Sequence, residues 1–144
     1  MAVKTLTSEE QYLRTSFPGR TPEYVDGELV ERTGPNNRHS RAQSKLGARF
    51  ERLGEQLPLF ARPELRVPVA PGRYRIVDLA VYAHQEPVDE LPRELPLVVI
   101  EIVSPDDRLE DVMERLRTFG PGACRTFGWW TRGSAGCTYT ATGA

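Results

Sequence analysis

The chain has 144 residues, with 19 Lys and Arg against 20 Asp and Glu and a formal net charge of -1. This length predicts a single domain that can bury a core. The balanced charge excludes a global positive field, so a polyanionic partner would have to bind a local basic surface. The N-terminal residues lack the apolar core of a signal peptide and no apolar run approaches the length of a membrane span, which predicts a cytoplasmic protein with no membrane partner.

The first part of the chain predicts a short helix followed by a hairpin. Ser8 stands three residues before Gln11 with two acids between them, the pattern of a capping box, and Pro18 limits the helix that begins there. Asp26-Gly27 separates two short segments, 23–25 and 28–32, and this dipeptide favours a tight turn between antiparallel strands.

A longer amphipathic helix is predicted from about Ser40 to Leu57. Its apolar residues recur at helical spacing: Ala42, Leu46, Phe50, Leu53 and Leu57. Its basic residues follow steps of three and four and therefore share a face: Arg41, Lys45, Arg49 and Arg52. Two interpretations of this face stay open, a solvated helix surface and a surface that contacts phosphates.

Strands and a second helix follow. Residues 66–69, with Pro68 among them, predict an edge strand before a turn at Pro71-Gly72. Segments 75–82 and 97–103 are rich in β-branched residues, and the second is apolar enough for a strand covered on both faces. From Leu109 to Phe119 apolar residues again fall at helical spacing.

Each of the two apolar strands carries one acid, Asp78 in the first and Glu101 in the second. An ionised carboxylate in an apolar strand is costly unless a partner compensates its charge. If the two strands are neighbours, both carboxylates can converge on one hard divalent cation, which prefers oxygen ligands. The alternative is that each acid reaches solvent at a strand end or pairs with an arginine.

Motifs of this chain follow one another in an order that is typical of a nuclease family. The segment 24–28 has the sequence Tyr-Val-Asp-Gly-Glu, His39 stands at a helix start, and Asp78 precedes the segment 101–105, which reads Glu-Ile-Val-Ser-Pro. Together they resemble the Uma-type restriction endonuclease family of the PD-(D/E)XK nuclease superfamily, over roughly residues 5–119. The resemblance implies a restriction-endonuclease-like α/β domain at residues 1–119, with a mixed sheet flanked by helices.

The resemblance also implies a function, a metal-dependent endonuclease that hydrolyses phosphodiester bonds of nucleic acid, with DNA as the expected partner. Asp78, Glu101 and the Ile102 carbonyl are expected to bind Mg²⁺ or Mn²⁺, with Glu28 as a further carboxylate. Arg115 is expected to stabilise charge on the phosphate. The residues expected to contact nucleic acid are His39, Arg41, Lys45, Arg49 and Arg52. His39 has a second interpretation as an ordinary helix-start residue, and a homodimer is expected only by analogy.

The family pattern is broken within the matching region. Val77 stands where the family usually has proline, and Val103 stands where the superfamily motif has its lysine. The lysine that this family carries on the next helix is replaced by Arg115, four residues after Asp111. Arginine keeps the positive charge but cannot lose a proton to act as a base. Arg115 and the atypical C-terminal tail at residues 120–144 favour a competing interpretation, an inactive nuclease-fold binding module or a degraded gene product.

Residues 120–144 form an atypical tail with neither a helical nor a strand period. Because Trp has the single codon TGG and Thr codons begin with AC, Trp129-Trp130-Thr131 fixes the bases TGGTGGAC. In the reading frame that starts one base earlier, these bases must encode Val and then Asp. Members of the resembled family have a strand that ends in Asp-Pro at this point. We hypothesise that a frameshift near Phe119, real or a sequencing error, replaced the native tail, and resequencing the locus decides this. Cys124 and Cys137 then have no selected role. A domain without its last strands is expected to leave a sheet edge and apolar surface uncovered, and therefore to be unstable.

Overall fold

The computed structural model describes residues 7–103, 107–119 and 126–130, with only the backbone described for Leu109 and for the last range. Its helices are α1 (Glu9–Arg14), α2 (Asn37–Gly54) and α3 (Leu109–Arg117). Its strands are β1 (Glu23–Val25), β2 (Glu28–Val30), β3 (Leu59–Ala70), β4 (Arg73–Ala83), β5 (Val98–Ile102) and β6 (Thr126–Trp130). The six strands form one mixed sheet, with β2-β1-β4-β5-β6 in order and β3 paired to β4, which confirms the predicted α/β fold class.

The N-terminal elements form as the sequence predicts. The Ser8 hydroxyl accepts a hydrogen bond from the Gln11 amide, and the Gln11 side chain accepts one from the Ser8 amide, so the capping box of α1 is complete. Asp26 and Gly27 have φ of 50° and 92°, the left-handed conformations that a tight hairpin turn requires, and β1 pairs with β2 across them.

Helix α2 begins earlier than predicted, at Asn37 rather than about Ser40. The reason is the Asn36 side chain, whose oxygen accepts a hydrogen bond from the His39 amide at 3.0 Å and so caps the helix ahead of Ser40. The cap places His39 in the first turn, and the helix ends at Gly54, before Leu57. Within the described ranges no helix has the length and apolar character that crossing a bilayer requires.

Strand β3 is longer than predicted and pairs with β4 along almost its whole length. As far as the chain is described, no strand covers its other side, so β3 is an edge strand. Pro63 and Pro68 both lie in it, and proline suits an edge because it has no amide to donate to a further strand.

The sheet carries apolar side chains on both faces. In β5 the neighbouring residues Val99 and Ile100 belong to different core clusters, because successive side chains of a strand point to opposite faces. Val99 packs in the cluster that includes Val112 and Leu116 of α3, whereas Ile100 lies in the one covered by α2. This double burial explains why the segment is almost continuously apolar, and it places the acid of β5 in a dry environment.

One edge of β4 is split between two partners. Its first residues, Arg73 and Tyr74, pair with β1, and its later residues, 79–81, pair with β5. Because β3 holds the opposite edge, residues 75–78 have no strand partner on the split edge within the described chain. The gap exposes backbone groups in the middle of a sheet, and these need other hydrogen-bonding partners.

The tail contributes a strand that its sequence does not predict. Residues Thr126–Trp130 form β6, which runs parallel to β5 with Val98 opposite Thr126 and Ile102 opposite Trp130. The sheet edge at β5 is therefore covered over five residues, which corrects the expectation that this edge is left open. Both tail cysteines lie outside the described residues.

Candidate active site

Three buried carboxylates meet beside the split edge of β4. Glu23 comes from β1, Asp78 from β4 and Glu101 from β5, and their exposed fractions are 2%, 1% and 6%. The antiparallel pairing of β4 with β5 confirms that the strands carrying Asp78 and Glu101 are neighbours. Burial of three acids in one place requires strong compensation of their charge.

Side chains of this cluster replace the missing strand at Ile76. The Ile76 amide donates a hydrogen bond to Glu23 Oε1 at 3.1 Å. Its carbonyl accepts hydrogen bonds from Arg32 Nη1 at 2.8 Å and Arg115 Nη2 at 3.2 Å. The polar cluster therefore also satisfies the backbone of the sheet at this point.

Asp78 links β4 to the end of β5. Its Oδ2 accepts a hydrogen bond of 2.6 Å from the Ile102 amide. Its Oδ1 lies 3.1 Å from Arg32 Nη2 and 3.2 Å from His39 Nε2. The carboxylate is thus held in one orientation by groups from three different segments.

Arg32, which the sequence does not single out, lies among the acids. Its Nη2 is 3.1 Å from Asp78 Oδ1 and 3.9 Å from Glu101 Oε2, and its Nε is 3.9 Å from Glu23 Oε1. The side chain is only 11% exposed. One guanidinium therefore faces all three carboxylates of the cluster.

Arg115 reaches the same cluster from α3. Its Nη2 is 2.9 Å from Glu23 Oε1 and 3.1 Å from Glu101 Oε1. Its Nε is buried and has no hydrogen-bond partner among the described atoms. Arginine partners for Asp78 and Glu101, the alternative that the sequence leaves open, are thus present in the structure.

The surroundings shift the pKa values of the two predicted metal ligands in opposite directions. Burial raises the pKa of Glu101 to about 8, against the attraction of Arg115 and with a further contribution from the charge of Asp78. Burial also opposes ionisation of Asp78, but its contacts with His39, the Ile102 amide and Arg32 outweigh that effect and lower its pKa. Without a metal the cluster therefore favours ionisation of Asp78 over ionisation of Glu101.

A second group of donors approaches Asp78 from the α2 side. One ligand atom from each of His39, Glu64 and Asp78 lies within 4.8 Å of the others. Gln43 fixes this side of the site, since its amide donates to the Asp78 carbonyl at 2.7 Å and to Glu64 Oε1 at 3.2 Å. His39 Nε2 is buried and has no hydrogen-bond partner in the described chain, although it lies 3.2 Å from Asp78 Oδ1.

A cleft of about 630 Å³ opens onto the cluster. Its cationic lining residues are Arg20, Arg32, Arg75, Arg108 and Arg115, with His39 beside them. The cleft lining, so far as the chain is described, includes Glu23 but not Glu28, which lies half-buried on β2. Glu31, Asp107 and Asp111 also line the cleft, and the acid that is buried together with Asp78 and Glu101 is Glu23.

The other four basic residues expected to contact nucleic acid are not part of this cleft. Arg41, Lys45, Arg49 and Arg52 are all exposed on α2, and the described lining of the cleft contains none of them. They are offset by about half a turn from His39 and Gln43, which point towards Asp78. The structure thus separates His39 from these four residues.

The donors around Asp78 fit a divalent cation. Carboxylate oxygens are suitable ligands for Mg²⁺ and Mn²⁺, and an imidazole nitrogen suits the transition metals. The observation that supports the fit is the buried His39 Nε2, which has no hydrogen-bond partner among described atoms and lies beside the ionised Asp78. Arg32 opposes the fit, because its guanidinium occupies space between Asp78 and Glu101.

Comparison with known proteins places the chain in a family. The model of the Uma2 family, described as "Putative restriction endonuclease", matches residues 9–123. The chain belongs to the Uma2 family. The Uma2 match spans every residue of the three-acid cluster and its arginines, and it confirms the resemblance seen in the sequence motifs.

Structural comparison agrees with the Uma2 assignment. The crystal structure of a "putative nuclease belonging to DUF820" from Anabaena variabilis ATCC 29413 is similar, with a TM-score of 0.69 and 20% sequence identity. The similarity covers 83% of this chain and 71% of that one, and at this identity it shows the fold alone. No curated protein matches the chain.

Several residues of the site give no signal in the sequence. Glu23 begins a short strand and Glu64 lies in an edge strand, positions at which acids are usually solvated. Arg32 stands in an irregular segment, and Gln43 is one polar residue of an amphipathic helix. Only contacts between residues that are distant in the chain assign them to the site, such as that between Arg32 and Asp78.

Proposed function

We propose that this Uma2 protein is a metal-dependent endonuclease that hydrolyses phosphodiester bonds of DNA in the cleft of Asp78 and Glu101. The observation that carries the proposal is the convergence of these two buried carboxylates on adjacent strands beneath a cleft lined by arginines. The family description and the nuclease fold support the same reaction class.

Asp78, Glu101 and the Ile102 carbonyl are the proposed ligands of Mg²⁺ or Mn²⁺, with His39 and Glu64 available on the other side of Asp78. When bound, the cation supplies a Lewis acid and lowers the pKa of a coordinated water. The Ile102 amide orients the Asp78 carboxylate, and Gln43 holds the backbone of Asp78 from α2. These contacts keep the ligands in a fixed geometry before the cation arrives.

The arginines of the cleft are the proposed phosphate contacts. Arg108 is largely exposed and, among the residues that the structure describes, pairs with the exposed Glu110, so its guanidinium can reach a phosphate oxygen without breaking a buried contact. Arg115 stands in the position of the family lysine and supplies charge, but it binds Glu23 and Glu101 and cannot act as a base. The exposed basic residues of α2 would contact a part of the nucleic acid outside the cleft.

A DNA-binding module without catalysis is a second candidate, and one observation favours it. Arg32, Arg75 and Arg115 already contact Glu23, Asp78 and Glu101, so arginines compensate the negative charge of the cluster without a metal. Binding of DNA without cleavage in Mg²⁺ or Mn²⁺ distinguishes this candidate from the endonuclease.

The proposed function is tested by incubating DNA with Mg²⁺ or Mn²⁺ and with wild type, Asp78→Ala or Glu101→Ala. We expect each substitution to lower the cleavage rate by at least about a hundredfold, because metal ligands matter more than the groups that orient them. Glu90→Gln, at an exposed loop acid, is the matched control and should cleave at the wild-type rate.

Equal cleavage by the wild type and both alanine variants would contradict the assigned site. Arg115→Lys, tested in the same assay, should raise the cleavage rate if the replacement of the family lysine limits catalysis. Circular dichroism of each variant separates loss of function from loss of folding.

A further inference from the structure

Arg32 touches both carboxylates that the proposed function assigns to the metal. Its Nη2 is 3.1 Å from Asp78 Oδ1 and 3.9 Å from Glu101 Oε2. Arg115, by comparison, contacts Glu101 and Glu23. A cation that coordinates both carboxylates must lie about 2.1 Å from an oxygen of each. It would therefore lie between the two carboxylates, in the space that Arg32 Nη2 also approaches.

Charge makes simultaneous occupancy unfavourable. Three acids, Glu23, Asp78 and Glu101, face three arginines in a buried cluster. A divalent cation added to these arginines would place excess positive charge in a region of low dielectric, next to the Arg32 guanidinium. Removal of one arginine from the centre of the cluster relieves that repulsion.

The position of Arg32 in the chain allows its side chain to leave. It lies in the segment between β2 and α2, which has no regular secondary structure, so its movement breaks no strand pairing. The hydrogen bonds lost are those to Asp78 and to the Ile76 carbonyl, and that carbonyl keeps the Arg115 Nη2 donor. The cleft that Arg32 lines provides the space into which it can turn.

We propose that Arg32 is an internal counter-ion that competes with the divalent cation for the space between Asp78 and Glu101, so that metal binds only as the Arg32 guanidinium withdraws. This inference rests on the proposed metal centre. It assigns to Arg32 the control of metal affinity, a role separate from contact with the substrate.

The test measures metal binding to the full chain by calorimetry, with Mn²⁺ and Mg²⁺ titrated into metal-free protein. Arg32→Gln removes the competing charge, and we expect it to bind Mn²⁺ at least about tenfold more tightly than wild type. Arg75→Gln is the matched control, because Arg75 carries the same charge but pairs, at 2.7 Å, with Glu23, which is not a proposed metal ligand. We expect it to change the affinity less than about threefold.

The outcomes separate the inference from the proposed function. Equal Mn²⁺ affinity of wild type and Arg32→Gln, or an equal gain in Arg75→Gln, overturns the role of Arg32 and leaves the metal centre in place. Absence of binding in both folded proteins, with no rise in melting temperature on adding Mn²⁺, overturns the metal centre and the inference together.

A measurement on the wild type serves if Arg32→Gln does not fold. Mg²⁺ is titrated into protein labelled with ¹⁵N at the arginine side chains, and the Nε–Hε resonances are followed. The Arg32 resonance should move with the same Kd as the calorimetric binding, and by more than that of Arg75. An Arg32 resonance that stays unchanged at saturating Mg²⁺ overturns the proposal.

Discussion

At the level of single residues, Asp78 and Glu101 prefer opposite protonation states although they share one cleft. Burial opposes ionisation of both, but Asp78 is contacted by His39, the Ile102 amide and Arg32, which together lower its pKa. Glu101 is compensated less well and its pKa rises to about 8. Pairs of carboxylates separated in this way are frequent in catalytic sites, since one stays charged while the other holds a proton.

The raised pKa of Glu101 predicts a pH-dependent stability of the metal-free protein. Folded protein keeps the Glu101 proton up to about pH 8, whereas the unfolded chain loses it near 4.5, so the folded state binds more protons between these values. The free energy of unfolding should therefore fall as pH rises from 5 to 8, by on the order of a few kcal/mol.

Denaturant unfolding of wild type and Glu101→Gln in the presence of a chelator checks this dependence. Glutamine imitates the protonated acid, so the variant should lose this part of the pH profile, and Glu90→Gln should keep it. If the profiles of wild type and Glu101→Gln run parallel, Glu101 has an ordinary pKa in the folded protein.

At the level of elements, α2 has two faces with different surroundings. One face directs His39 and Gln43 to Asp78 and packs Leu46 and Phe50 on the sheet. The opposite face is exposed and basic. Periodicity predicts both faces, but it does not reveal which of them adjoins the cleft.

The position of the cleft predicts unequal effects of two basic residues, Arg108 before α3 and Arg49 on α2, on DNA binding. Arg108 lines the cleft and Arg49 does not, so far as the lining is described. The binding constant for a short DNA duplex is measured at several salt concentrations. Arg108→Gln should reduce the magnitude of the slope of its logarithm against the logarithm of salt concentration by about 1, the effect of one lost phosphate contact. Arg49→Gln should leave the slope unchanged, and a larger effect of Arg49→Gln would place the binding surface on α2.

At the level of the whole molecule, the sheet depends on a strand from the atypical tail. β6 pairs with β5, the strand that carries Glu101, and contains Gly128 in its centre. Glycine weakens a strand interior, and the shifted frame replaces Trp130, the last residue of this strand, by the β-branched Val. The frameshift hypothesis and the observed strand therefore concern the same edge of the sheet.

Thermal unfolding of three chains tests the contribution of the tail. Removal of residues 120–144 should lower the melting temperature by about 5 °C or more, because the edge of β5 is uncovered. Replacement of these residues by the shifted-frame tail should raise it above that of the present chain. If the truncated and full chains melt together, β6 contributes nothing to stability.

Much of the fold and the core of the site follow from local patterns in the sequence. The capping box, the Asp26-Gly27 turn and the amphipathic period of α2 are encoded within a few residues, and all three form. Asp78 and Glu101 are detectable because each interrupts an apolar strand, where a charge is costly whatever the partner. The sequence by itself therefore determined the fold class and these two acids.

Only the tertiary structure decided what surrounds them. Glu23, Arg32 and Glu64 have no unusual local pattern. Glu23 and Arg32 join the site because β4 divides its edge between β1 and β5, and Glu64 joins it because β3 pairs with the other edge of β4. The compensation of a buried charge depends on groups that are distant in the chain, such as Arg32, which is 46 positions from Asp78. Whether each acid meets a metal, a proton or an arginine is for this reason set by packing and not by spacing.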